Sequence, residues 1–101
     1  MHRLERWRPI IQGATSEPQL LTVMREYCSS WLPSEIAKLP DGCPKCQVEG
    51  TDDIPGLALD FIAYELKYDG PEEVKSMLHD MALVFTAAAQ HLKRLRPGPL
   101  G

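Results

Sequence analysis

The fold turns on residues 71–95, PEEVKSMLHDMALVFTAAAQHLKRL. Val74, Leu78, Met81, Phe85, Ala88, Leu92 and Leu95 recur at alternating spacings of four and three. A helix returns to the same side every 3.6 residues, so these positions form one apolar stripe, whereas a strand would need alternation of period two. Met77, Leu83 and Val84 widen the stripe to the breadth of a bundle core. Glu72 and Glu73 open the segment and Lys93, Arg94 and Arg96 close it, which complements the helix dipole at both ends. The a/d spacing suits a long helix packed at a shallow angle in a bundle, or against a copy of itself.

Upstream, Asp69-Gly70 is a turn dipeptide, and Pro71 suits the first turn of this long helix. Residues 57–68 are apolar over most of the circumference, with Asp60 and Lys67 as a narrow polar strip and Glu65 alone opposite. A helix of that kind belongs between other elements, which makes it the expected central helix. Asp53 is its expected N-cap and Pro55 lies at its start. Leu57, Phe61, Tyr64 and Tyr68 form an aromatic-rich edge that reads as core packing rather than as a ligand pocket.

Ser16, Glu17 and Pro18 mark another helix start. Over residues 17–32, Leu20, Val23, Met24, Tyr27 and Trp31 share one side, with Cys28 towards it, and Thr22, Arg25, Glu26 and Ser29 share the other. Pro33 ends this helix and Ser34 caps a short one, SEIAKL. Residues 1–14 form an arm or one short helix, in which Pro9 breaks continuity or opens a second turn. Residues 41–53 follow neither periodicity and read as a long irregular loop, and 97–101 as a flexible tail. The expected fold is all-α, a single domain over residues 1–101. It is a small antiparallel bundle of three main helices with one or two short ones.

At 101 residues with 44% hydrophobic content, one core is feasible without disulfide staples. No apolar run reaches the ~20 residues of a membrane-spanning helix, and the opening MHRLERWRPI lacks the apolar core of a secretory signal. A cytoplasmic, membrane-free protein is expected. The net charge is −3. Ten acids face three lysines over residues 41–80, while arginines gather at Arg3, Arg6, Arg8, Arg94 and Arg96. An acidic domain gains little counterion release from phosphate backbones, so nucleic acid is not an expected partner.

Cys43-Pro44-Lys45-Cys46 carries the sharpest chemistry. Two intervening residues let two thiolates face one zinc ion, but zinc takes four ligands. The other candidates are Cys28, His2, His79 and His91. The last two are about 18 Å apart along one helix and cannot share an ion. Cys28 reads as a small hydrophobe, and three cysteines do not suggest a disulfide framework. A redox pair is disfavoured because no strand precedes the motif and nearby acids oppose thiolate formation. His79-Asp80 resembles the metal-binding dipeptide of some phosphohydrolases without their further ligands. No nucleophile elbow or glycine-rich phosphate loop occurs, and no catalytic residue is assigned. The expectation is therefore a non-enzymatic protein-interaction or adaptor module without a cofactor. Its partner is another protein or a second copy, making a homodimer. The alternative is a zinc domain held by Cys43 and Cys46, shared between two chains where one supplies too few ligands.

Overall fold

A computed structural model describes residues 3–40 and 52–96. Among the described residues it shows five helices and no strand: α1 (Leu4–Gln12), α2 (Glu17–Ser30), α3 (Pro33–Ile36), α4 (Ile54–Lys67) and α5 (Glu72–Leu95). Most of the segment expected to be an irregular loop (residues 41–51) and the tail at 97–101 lie outside the described residues.

Two helix starts follow the capping chemistry of the sequence. The Ser16 hydroxyl accepts a hydrogen bond from the Gln19 amide at 3.3 Å, and an Asp53 carboxylate oxygen accepts one from the Gly56 amide at 3.2 Å. Each satisfies an amide that has no partner in its own helix. A Cβ at Gly56 would run into the Asp53 carboxylate and push it from this capping position.

The short helices differ from expectation. Pro33 does not merely end α2 but opens α3 at its first position, and Leu32, not Ser34, is the N-cap. The reason is the Glu35 carboxylate, which reaches back to accept from the Leu32 amide at 2.8 Å. Pro9 lies within α1 without breaking it. The ring is exposed to solvent, and the helix forgoes the bond that the Pro9 nitrogen cannot donate.

The core is strung along an aromatic series that links four helices. Trp7 of α1 meets Tyr27 of α2 edge-on at 5.4 Å. Tyr27 meets Phe85 of α5 at 6.1 Å, and Phe85 meets Phe61 of α4 at 5.3 Å. Trp31, just past α2, closes on Tyr27 at 6.3 Å. Edge-on and tilted arrangements set positive ring edges against negative faces.

The central helix is α5, not α4. The α5 stripe Val74, Leu78, Met81, Phe85, Ala88 and Leu92 is buried within the chain, and α5 packs against α1, α2 and α4. That stripe is not available for self-pairing, because the chain's own helices already cover it. Among the described residues, helix α4 has α5 as its one helical neighbour. It buries Ile54, Ala58 and Phe61, and it leaves Leu59 and Leu66 69% and 81% exposed. Leu57, Tyr64 and Tyr68 pack partly buried against the core, as the aromatic edge implied. No helix among the described residues is long and apolar enough to cross a membrane.

Candidate functional site

Central α5 is flanked by α1 on one side and α4 on the other, and a groove runs along each seam. The seam with α4 is lined by Pro55, Ala58, Leu59 and Ile62 facing Thr86, Ala89, Gln90 and Lys93, with a volume of about 270 Å³. Its walls are apolar and small, with Lys93 the one charge at its edge. Leu66, two turns beyond Leu59 on α4, stands clear of the surface.

The seam with α1 holds a cleft of about 260 Å³. Its apolar lining comes from Leu4, Ile11, Leu83 and Ala87, and its polar lining from Arg8, Gln12, Thr86, Gln90, His91 and Arg94. Arginines from the two ends of the sequence thus meet at one cleft, which charge spacing alone left open. Leu83, expected to widen the core stripe, is 38% exposed at this cleft. Thr86 and Gln90 form the ridge shared by both grooves.

His91 forms part of the cleft wall and is only 9% exposed. Its Nε2 lies 2.8 Å from the Ala14 carbonyl oxygen. A carbonyl only accepts, so Nε2 carries the proton, and in the neutral ring Nδ1 keeps a lone pair. That Nδ1 is buried and has no hydrogen-bond partner among the described residues.

The residues considered for metal are dispersed or already engaged. Cys43, Cys46 and His2 lie outside the described residues. Cys28 is buried and disulfide-bonded, so it is neither a free hydrophobe nor a thiolate, and the expectation of a chain without disulfides is corrected. His79 Nδ1 donates to Glu65 Oε2 at 2.6 Å on the surface, and His91 is turned to Ala14. No group of three or more His, Cys, Asp or Glu side chains is placed to hold a metal ion among the described residues.

Three surface cations are matched locally. Arg25 pairs with Asp52 at 2.9 Å and Lys38 with Glu73 at 2.7 Å. Arg96 forks onto both Glu17 oxygens at 3.1 and 3.2 Å. The Arg96 bond holds the Glu17 carboxyl below its ordinary range, and the Glu73 bond raises the Lys38 ammonium. Arg8, Lys93 and Arg94 have no ion pair among the described residues, and no carboxylate lines either groove.

Comparison with protein-family models, with curated proteins and with solved structures finds no match to this chain.

Proposed function

We propose that this protein is a non-enzymatic protein-interaction module, an antiparallel helical bundle that forms a homodimer through the α4–α5 face. The carrying observation is that α4 is apolar nearly all round yet covered, among the described residues, on one side only, with Leu59 and Leu66 mostly in solvent. Such a helix is stable where both sides are covered, and burying two leucines contributes roughly 1.5–3 kcal/mol each. The antiparallel arrangement is supported by the pairings of Phe61 with Phe85 and of Glu65 with His79, in which numbers rise on one helix as they fall on the other.

The occupant is a second copy because the face carries both halves of a self-complementary contact. Leu66 is a protruding knob, and the Pro55–Lys93 end of the groove is a depression of matching chemistry. A twofold axis near Ile62 seats each Leu66 in the other chain's groove, the isologous arrangement a symmetric dimer requires. It also brings the exposed Asp69 of each chain towards Lys93 of the other, which has no ion pair among the described residues. The zinc alternative, held by Cys43 and Cys46, needs further ligands, whereas Cys28 is disulfide-bonded and His79 and His91 are each hydrogen-bonded within the chain.

Sedimentation velocity from micromolar to near-millimolar chain tests the reading. The wild type is expected to dimerise, and Leu59→Asp and Leu66→Asp to remain monomeric with unchanged thermal unfolding of the monomer. A wild type that stays monomeric throughout overturns it.

A further inference from the structure

We infer that the α1–α5 cleft binds a small organic carboxylate with a short apolar tail. The site is separate from the dimer face and does not depend on it. Its interior is apolar at Leu4, Ile11, Leu83 and Ala87, and its rim carries Arg8 and Arg94. An amphiphilic anion matches both parts: the tail displaces water from the floor while the carboxylate meets guanidinium groups, which bind it through two parallel hydrogen bonds. The Gln12 and Gln90 amides and the Thr86 hydroxyl add neutral donors at the same rim.

Two observations favour this ligand over a featureless dent. Arg8 and Arg94 hold no carboxylate of the chain among the described residues, so both guanidinium groups are open to one from outside. No carboxylate lines the cleft, so nothing in the wall competes with an incoming anion. At about 260 Å³ the cleft falls just below the usual ~300–1,000 Å³ of drug-sized sites, which limits the tail to a few carbons.

The test is a ¹H–¹⁵N NMR titration of the whole chain with hexanoate, with acetate, inorganic phosphate and 1-hexanol as comparison ligands. Hexanoate is expected to give saturable shifts at Leu4, Arg8, Ala87 and His91, with each comparison ligand at least tenfold weaker. The double variant Arg8→Gln, Arg94→Gln is expected to weaken hexanoate at least tenfold. Both side chains are exposed and without ion pairs among the described residues, so its spectrum outside the cleft serves as the check that it folds. Hexanol matching hexanoate would reduce the cleft to an apolar dent, and acetate or phosphate matching it would reduce the rim to diffuse charge. Either result, an insensitive double variant, or the absence of saturable shifts overturns the inference. Dimerisation is read separately by sedimentation, so failure of one reading leaves the other standing.

Discussion

Tyr27 is the side chain on which the aromatic core converges, touching Trp7, Trp31 and Phe85. Its place on the inner side of α2 follows from spacing alone, because Leu20, Met24, Tyr27 and Trp31 share one stripe. Its ionisation does not, since that depends on everything packed around the phenol. Burial pushes the Tyr27 pKa well above 10.0; the Trp31 indole partly offsets this, and the negative charge of Asp80 adds to it. Below pH 10 both folded and unfolded phenols are neutral and stability is whole. Above it the unfolded chain loses a proton that the folded chain keeps, so stability falls as pH rises. Lys38, raised by Glu73, acts in the same direction but lies at the surface, so its share is screened. Thermal melts above pH 10 are therefore expected to fall more steeply for the wild type than for Tyr27→Phe. Equal slopes would show that the phenol is solvated in the folded state. The neighbouring Cys28 marks the limit of sequence reading at this scale. Its inward position is visible in the spacing, but its cross-link depends on which sulfur the fold brings within reach. Disulfides persist in oxidising compartments and are reduced in the cytosol, so this bond and the cytoplasmic setting expected from composition pull in opposite directions.

Among the elements, α2, α4 and α5 are legible because each carries a period and a start signal that agree: Ser16 before α2, Asp53 before α4, and Pro71 with two acids at α5. The two short helices are less legible. One side chain sets α3, through Glu35 bonding back to Leu32, and α1 accommodates Pro9 where a proline rule alone predicts a break. Exchanging the central role between α4 and α5 has a different cause. Periodicity counts apolar positions but does not reveal whether the neighbour that covers them belongs to the same chain. Among the described residues helix α5 packs against three helices and α4 against one, although α4 is the more apolar all round. The two helices should consequently respond oppositely to truncation. Phe85→Ala removes a ring packed against Tyr27 and Phe61 and is expected to cost about 3–5 kcal/mol. Leu66→Ala removes a side chain 81% exposed and is expected to change monomer stability by no more than about 0.5 kcal/mol. Urea unfolding at a concentration that keeps the chain monomeric measures both. A large loss at Leu66 would mean that α4 is covered within the chain and has no free face to offer.

For the molecule as a whole, the cleft was the part least visible in the sequence. Its walls come from α1 and α5, and the bond that ties them joins residues 77 positions apart, His91 and Ala14. Nothing in the local pattern of either segment announces that meeting. A histidine on the apolar side of a helix reads equally well as packing or as a ligand until the carbonyl is placed beside it. The bond bears on how the chain ends are held. Helix α1 is anchored by Trp7 and Ile11, and the segment just past it is fixed to α5 by the buried imidazole. Losing that donor leaves a carbonyl buried without a partner, which costs about 1–3 kcal/mol. His91→Ala is therefore expected to destabilise the chain and to lower hydrogen-exchange protection first in α1. In His91→Gln the side-chain amide nitrogen occupies the position of Nε2 and can still donate to Ala14. It is expected to recover most of the α1 protection, though not the ring packing. If both variants lose protection equally, the imidazole acts through its volume alone. If α1 exchanges no faster in either, the aromatic contacts of Trp7 suffice to hold the helix, and the bond to Ala14 serves only to fix the His91 tautomer.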